Sequence, residues 1–449
     1  MKLGVFHMSG KLFAALEQEQ VLNTNPDTID AKLAEASTEV SDGVIETGED
    51  VAAIENMVLC LENATEVADD LQTDADTIEG TVEAGDGLDE AGAGLATESL
   101  SRALRKLGAP ANMASVPSLE SFGSKQSRVT ASKIALEGFV ETIKSTWKMI
   151  IDGLKALWQK IWDFFAKFFD NTDRVTKLAK KLRDKVAAMS GTAKNNQVKG
   201  RAHAQAFSTG TGAVTIGDIS TIFGNHNGVT DGFLVTTTVV EGAGKVLEAG
   251  MKAKEGSEEE FFKVVAEEGA KIVDKIAGSS GVTKKETTVK EGDKDVTATA
   301  IGPFVNNSRL VLTNGSSFSV KMEENAKKSV SDTSPTLTQK ECNTVLDMTV
   351  ALMNKTEEYK KKKSSIDAAS KSLIKIAESV VSSAEKFADM GENNALRAKL
   401  TIGRRAIGSF GTQFGRLVTL LPAANVRLGK AALSYVSASA AAHGSEAKK

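Results

Sequence analysis

The strongest hydrophobic periodicity in the chain runs from Ile134 to Phe169, the stretch that contains all three tryptophans. From Phe139 onward, large apolar residues recur every three or four positions, the spacing that lines one face of an α-helix. The opposite face carries Glu141, Lys144, Lys148, Asp152, Lys155, Lys160, Asp163 and Lys167. The pattern predicts one amphipathic helix roughly 45 Å long, interrupted by charge too often to span a membrane.

Helical patterns also flank this stretch. After it, DNTDRVTKLAKKLRDKVAAM predicts a second, basic helix, capped by Asn171 and Thr172 and packed back on the first. Before it, residues 21–98 show weak periodicity, clearest at Val51, Ile54, Val58 and Leu61. We therefore expect marginal helices there, followed by a glycine-rich acidic linker at residues 84–96.

Residues 207–320 have a different character, because β-branched runs appear in VTIGDISTIF, FLVTTTVV, ETTVKEGDKDVTATAI and RLVLTNGSSFSVKM. Asn314-Gly315 predicts a two-residue type I′ hairpin between the last two of these strands. The segment VLEAGMKAKEGSEEEFFKVVAEEGAKIVDKI is helical in pattern, so the block is predicted to be α+β. From Thr338 to the end the pattern is helical again, with a break at Pro422.

These patterns predict a mainly α fold of long amphipathic helices with a smaller α+β insert of short strands. We divide the chain into four parts: an acidic leader at 1–137, weakly helical and partly disordered; the aromatic and basic helices at 138–195; the α+β block at 196–335; and a helical, basic C-terminal region at 336–449.

Charge is distributed unevenly between these parts. Residues 1–137 hold 25 Asp and Glu against 9 Lys and Arg, a net charge of −16, while the remainder has a net charge of +12. Such a split suggests a segment that meets an oppositely charged partner, or a leader that only aids solubility. Between Asn393 and Ser445 there is no acid at all. The seven bases of this region are candidates for DNA contact: Arg397, Lys399, Arg404, Arg405, Arg416, Arg427 and Lys430.

The sequence offers little catalytic chemistry. Gly242–Val246 (GAGKV) fails as a phosphate-binding loop, because Val246 stands where Ser or Thr is needed. Two cysteines, Cys60 and Cys342, provide no disulfide framework. The four histidines are scattered, which favours solvated or loop positions over a metal site. We expect no cofactor, no metal and no enzymatic activity, although a pocket formed by distant residues would not be visible in the sequence.

The aromatic face of the central helix has two interpretations. A Trp and Phe stripe at helical spacing is usually part of a protein core. The alternative is a helix lying on a membrane surface, with lysines toward head groups and aromatic rings toward acyl chains. Acids at Glu141, Asp152 and Asp163 on the charged face count against a dedicated binder of anionic lipid.

The acidic leader followed by SLESFGSKQ and the aromatic helix resembles the internal head proteins of giant phiKZ-like and other large tailed bacteriophages, over roughly residues 95–170. The resemblance implies a precursor whose propeptide is removed by the phage prohead protease, which cuts after a Glu that has a small residue two positions before it. The favoured match is Ala135-Leu136-Glu137, with Gly138 as the new N-terminus. The alternatives are Ser118-Leu119-Glu120 and Ala96-Thr97-Glu98.

The resemblance implies a structural virion protein located in the capsid interior, and in the host cytoplasm during assembly. Its expected partners are the prohead protease, other head or core proteins and non-specific packaged DNA. Cutting at Glu137 would leave a body of net charge +12. The alternative function is a membrane-interacting protein that is ejected with the genome and uses the aromatic helix.

Overall fold

The computed structural model describes residues 28–107, 124–189, 192–209, 213–252, 258–291, 294–315, 318–324, 333–387 and 393–443. Its helices are α1 (Thr28–Glu83), α2 (Glu90–Lys106), α3 (Lys125–Ala187), α4 (Arg201–Ala206), α5 (Ile216–Lys252), α6 (Glu258–Ala277), α7 (Gln339–Glu357), α8 (Tyr359–Phe387), α9 (Asn393–Ala406) and α10 (Phe414–His443). Its strands are β1 (Gln197–Lys199), β2 (Lys284–Glu291), β3 (Lys294–Phe304), β4 (Ser308–Asn314), β5 (Phe318–Glu324) and β6 (Thr333–Pro335).

The first of these helices corrects the expectation of marginal helices in the acidic leader. α1 is one continuous helix of 56 residues. Its buried side follows a repeat of three and four residues that includes Val51, Ile54, Val58 and Leu61. Thr47 and Thr65 fill two further positions of this repeat and are also buried. Because threonine and alanine take many of its positions, the stripe is weak in hydrophobicity and strong only in spacing.

The predicted linker at 84–96 is also wrong for most of its length. A turn at residues 84–89 leads directly into α2, which Asp89 caps by accepting a hydrogen bond from the Gly92 backbone N–H. Gly87 has φ +65, and a Cβ there would lie 2.5 Å from the Arg128 backbone carbon. Glycine therefore permits both the backbone conformation and the close approach of this turn to α3.

α3 contains the predicted aromatic helix and extends it at both ends, to 63 residues. The predicted second, basic helix is wrong as a separate element because the chain does not turn back at Asn171 and Thr172. Both residues are buried inside the continuous helix. Asn171 Nδ2 donates to Gly43 O at 2.9 Å and to Thr47 Oγ1 at 2.8 Å, so its polar group contacts α1 rather than capping a helix.

The aromatic face of α3 lies in the protein core. Trp147 and Trp158 are 1% and 3% exposed, and Phe164 and Phe168 stack with ring centroids 5.5 Å apart. The structure agrees with the first interpretation of this face, in which the aromatic side chains are part of the protein core. A surface-lying membrane helix would need these rings to be exposed.

Residues 393–443 form one continuous helical rod that packs on α3 and is called the C-terminal rod. α9 continues through a π-helical turn at Ile407–Gln413 into α10. The predicted break at Pro422 is wrong because α10 runs through it. Proline removes one helical hydrogen bond, but its neighbours Leu421 and Ala423 are buried, so packing holds the helix on both sides.

The strands form a small sheet at the edge of the helical core. β2, β3, β4 and β5 make a four-stranded antiparallel sheet in that order, and β1 pairs with β6. Its inner face, including Ile301, Leu312 and Phe318, belongs to the main core. The β4–β5 hairpin is confirmed, but Asn314 pairs with Phe318, so three residues connect the strands rather than a type I′ turn.

Two of the four predicted β-branched runs are wrong. VTIGDISTIF, apart from its first residues, and all of FLVTTTVV lie in α5. Here Thr230, Thr236 and Thr237 are buried, and each hydroxyl donates to a carbonyl one turn earlier. Burial of the helix on several sides overrides the β preference of its residues.

The fold class is confirmed: long helices with a small antiparallel sheet. Buried residues from Ala36 in α1 to Ala440 in α10 form one hydrophobic cluster. The proposed boundary between 137 and 138 falls inside α3. Among the described residues, the acidic leader is thus part of the common core.

Candidate functional site: an acidic helix over basic helices

The main polar feature of the fold is the contact between the acids of α1 and the bases of α3. The two helices run antiparallel. Asp50 accepts a hydrogen bond from Lys160 Nζ at 2.5 Å, and Glu46 lies 3.1 Å from Lys167 Nζ. The pKa of Lys167 is raised by its hydrogen bond to Glu46, then by its contact with Asp50. This row of ion pairs lines one edge of the apolar α1–α3 contact.

A second row joins α1 to the C-terminal rod. Arg416 Nε lies 2.8 Å from Glu55 Oε1, and its NH1 lies 3.4 Å from Glu62 Oε1. Twelve positions earlier in the same rod, Arg404 pairs with Asp69 of α1. α1 is therefore held between bases on two sides.

Gln413, in the π-helical turn, extends the Arg416 cluster to the sheet. Its Nε2 donates to Glu62 Oε1 at 2.5 Å, while its Oε1 accepts from the Val320 backbone N–H at 2.9 Å. Ser409, four residues earlier, accepts from the Phe318 N–H at 3.2 Å. Two backbone N–H groups of β5 are thus satisfied by side chains of the rod, and one of these side chains, Gln413, also contacts α1.

The charge of Glu62 depends on this cluster. Burial raises its pKa above the ordinary value, and the nearby Arg416 guanidinium opposes that rise. The carboxylate is 30% exposed and the Arg416 side chain 11% exposed. Water therefore screens the pair incompletely, and each partner stabilises the ionised form of the other.

Of the seven predicted DNA-contacting bases, the six whose side chains the structure describes do not form an exposed surface. Arg404 and Arg416 are paired with acids of α1. Arg427 and Lys430 are 4% and 8% exposed, and burial lowers the pKa of Arg427 to about 10. Lys399 and Arg405 are half-buried, Arg405 has partners within the fold, and the Arg397 side chain lies outside the described part. These positions remain candidates for DNA contact only after a rearrangement.

An exposed basic cluster was missed by the sequence reasoning. Lys360, Lys361 and Lys363 are exposed in the first turn of α8, and Lys362 is half-buried. Lys360 Nζ lies 4.7 Å above the Phe169 ring, and Lys363 Nζ lies 5.3 Å above the Trp162 ring. Cation–π contacts orient these ammonium groups without neutralising them. The signal for this cluster in the sequence is the run of four consecutive lysines, Lys360–Lys363.

The favoured cleavage triplet lies in the interior of α3. Ala135 is 1% exposed, Leu136 and Gly138 are half-buried, and Glu137 is exposed. Glu137 and Gly138 also line a groove of about 460 Å³ between the end of α2 and α3. The side chain is reachable, but the bond after it is helical on both sides, whereas a protease needs an extended segment.

The two alternative triplets have different surroundings. Ala96, Thr97 and Glu98 lie within α2, where Ala96 is buried and Glu98 pairs with Arg102. Ser118, Leu119 and Glu120 lie outside the described residues, between the end of α2 and Ser124, which caps α3 by accepting from the Ser127 N–H.

Two histidines correct the expectation of solvated positions. His226 is 0% exposed: its Nε2 accepts from the Val305 N–H at 3.3 Å, so its Nδ1 donates to Asn425 Oδ1 at 2.8 Å. Burial lowers its pKa to about 4. His203, 1% exposed, stacks on Tyr435 at 4.7 Å and burial lowers its pKa to about 4 as well. Both rings are packing elements.

Within the described ranges, no group of three or more His, Cys, Asp or Glu side chains is arranged to hold a metal ion. No helix in the described part of the chain combines the length and apolar character needed to cross a bilayer.

A family model describing phiKZ-like phage internal head proteins matches residues 49–438. The match begins inside α1 and ends near the end of α10, so it includes both sides of the acid–base contact. No curated protein and no solved structure matches the chain.

Proposed function

Because the chain belongs to the family of phiKZ-like phage internal head proteins, we propose that it is a non-enzymatic structural precursor whose acidic N-terminal segment covers basic helices until it is cleaved and removed. Membership of this family places the protein in the interior of the virion capsid. The observation that carries the proposal is the double row of ion pairs between α1 and α3 and between α1 and the C-terminal rod. The proposal also includes assembly in the host cytoplasm, with other head proteins as partners.

Among the three candidate triplets, the helix boundaries favour a cut after Glu120. A cut after Glu137 would sever α3 where Ala131 and Ala135 are buried, and would leave Ser124, the residue that caps α3, on the removed segment. A cut after Glu120 leaves both α2 and the Ser124 cap intact. It would separate a segment with 24 acids and 6 bases from a body with 35 acids and 49 bases, net charges of −18 and +14.

Mass spectrometry of the protein from purified particles tests the processing step. We expect an N-terminal peptide that begins at Ser121, whereas the triplet first favoured by the sequence would give Gly138. The unprocessed chain expressed alone is the control. An intact N-terminus in mature particles would contradict the proposed precursor.

DNA contact by the body is the second part of the proposal. With α1 in place, Arg404 and Arg416 are occupied by acids, and the exposed bases include Lys360, Lys361 and Lys363. Phosphate contacts by such lysines would be independent of DNA sequence and steeply sensitive to salt. The slope of log affinity against log salt changes by about 0.9 for each phosphate contact on duplex DNA.

Gel shifts on a non-specific DNA duplex test two points: DNA binding by the lysines of α8, and masking of the other bases by α1. We expect Lys361, Lys362 and Lys363→Gln to weaken binding and to flatten the salt slope by up to about 2.7. The matched control changes three exposed lysines on the sheet, Lys284, Lys285 and Lys290→Gln. Equal losses in both variants would point to net charge rather than to the α8 surface. Equal affinity of the full chain and of a chain lacking the leader, at low salt, would count against masking by α1.

A further inference from the structure

We infer that the surface of α3 and the C-terminal rod beneath α1 is a docking groove for an acidic amphipathic helix, and that α1 stays in this groove as a separate chain after the backbone is cut. The biological setting of this inference rests on the proposed function. The groove itself rests on contacts within the described fold.

The face of α1 that lies in the groove is apolar over most of its length. Buried side chains of α1 extend from Ala36 to Ile78, and Ile54, Val58 and Leu71 have no exposed surface. Apolar burial of this extent does not depend on a covalent link between the helices. Helices of this kind associate as separate chains in coiled coils, where the same three-and-four spacing recurs.

The groove also fits the shape of α1 closely at points far apart. Leu61 lies against Gly153 of α3, where an added Cβ would be 2.8 Å from Leu61 Cδ2. At the other end Gly43 of α1 meets Asn171, and an added Cβ would be 2.1 Å from Asn171 Oδ1. These contacts fix the register of α1 on α3.

The edges of the groove carry the charge that complements α1. Lys160 and Lys167 pair with its acids on one side, and Arg404 and Arg416 on the other. The groove therefore selects a helix with an apolar stripe flanked by acids. The chain contains such a helix in α1 itself, so the occupant of the groove is the chain's own leader.

Contacts at the start of α3 would also survive a cut in the connection between α2 and α3. Asp86 lies 2.7 Å from Lys125 Nζ, and the Leu88 N–H donates to Ser132. A cut alone would thus leave the bases of α3 and α10 covered. Unmasking would need a second event that removes the severed helix, such as its further degradation.

The test places a foreign protease recognition sequence between Leu107 and Ser124 of the full chain, so that it does not depend on natural processing. After cutting under native conditions, we expect the leader fragment to co-elute with the body in size-exclusion chromatography at low salt and at 1 M NaCl. Complete separation of the fragment at low salt would overturn the inference.

Two neighbouring residues of α1 provide a matched pair of variants. Val58 is 0% exposed and Leu59 is 44% exposed. We expect Val58→Asp to abolish co-elution after the cut and Leu59→Asp to preserve it. Equal retention of both fragments would overturn the apolar groove.

A milder pair keeps the test decisive if Val58→Asp prevents folding. Glu55 and Glu62→Gln remove the partners of Arg416, whereas Glu49 and Glu66→Gln change two exposed acids of the same helix. After the cut we expect the first variant to release the fragment at least tenfold faster and the second to match the unsubstituted chain. Identical release rates would show that the ion pairs of Arg416 do not contribute to the binding of α1 in the groove. An intact N-terminus in particles, by contrast, would contradict the proposed function and leave the groove in place.

Discussion

Replacing Arg416 by methionine tests how strongly α1 is held to the C-terminal rod. The substitution keeps an unbranched apolar stem but leaves Glu55 and Glu62 without their guanidinium partner. Breaking a fully buried ion pair from one side costs about 3–5 kcal/mol. Glu55 and Glu62 keep 26% and 30% of their side-chain exposure, so we expect a smaller loss of about 2–3 kcal/mol in the free energy of unfolding.

A double-mutant cycle separates the pair from its surroundings. Glu62→Gln removes the half-buried carboxylate, so Arg416→Met should cost less in that background, by about 1–2 kcal/mol. The measurement is urea unfolding at pH 7, followed by tryptophan fluorescence, because the buried Trp147 and Trp158 report on α3. The control is Arg102→Met, whose partner Glu98 is 60% exposed and whose loss should stay within about 0.5 kcal/mol.

The pH dependence of the Arg416→Met effect supplies a further check. Burial already raises the pKa of Glu62, and Arg416 opposes that rise. Without the guanidinium, the pKa of Glu62 rises further in the folded state, so folding then opposes ionisation of this carboxyl group. The loss should therefore be largest near neutral pH and shrink as acid protonates Glu62. Additive effects of the two substitutions, or a loss below about 0.5 kcal/mol, would refute the reasoning.

Three further predictions follow from buried groups. Gly403→Ala should destabilise the fold by about 1–3 kcal/mol, because its Cβ would lie 2.6 Å from a neighbouring valine methyl, while Gly408→Ala, with nothing within 4 Å, should be nearly neutral in thermal unfolding. The pKa of His226 is lowered to about 4 in the folded state. Its contribution to the free energy of unfolding is therefore complete above about pH 6.5, and up to about 3 kcal/mol of it is lost as the pH falls toward 4. This acid dependence should shrink in His226→Gln; an unchanged profile would exclude His226 as its source. A thiol reagent should label the exposed Cys60 in the native protein but reach Cys342, buried and with its pKa raised to about 12, only on unfolding; native labelling of Cys342 would contradict its position in the core.

The acid–base contact explains the uneven charge of the chain in structural terms. An excess of acids in one helix and of bases in two others allows them to pack together as one core. The same arrangement would leave bases uncovered once the acidic helix departs. Charge asymmetry along the sequence is therefore compatible with a folded precursor, without a disordered leader in residues 28–107.

Sequence alone determined the elements with strong local signals. The three-and-four spacing from Phe139 to Phe169 gave the aromatic helix and its buried face, because large apolar side chains dominate that pattern. The β4–β5 hairpin was equally visible, since two β-branched runs flank Asn314-Gly315. The family could also be recognised from the acidic leader, the Glu-containing triplets and the aromatic helix, and the match to residues 49–438 is far wider than the stretch that suggested it.

Tertiary structure decided the elements whose local signals were weak or misleading. α1 is stable because α3 and the C-terminal rod cover its stripe of valine, isoleucine and leucine, in which interspersed alanine and threonine weaken the local signal. α5 is helical despite FLVTTTVV, because burial outweighs local propensity. The ion-pair partners of the bases in the acid-free region likewise could not be predicted from the sequence, because Arg404 and Arg416 contact acids more than 300 positions earlier in the chain. Charge counts show which signs are in excess, but only the packing of helices determines which charges remain available to a partner.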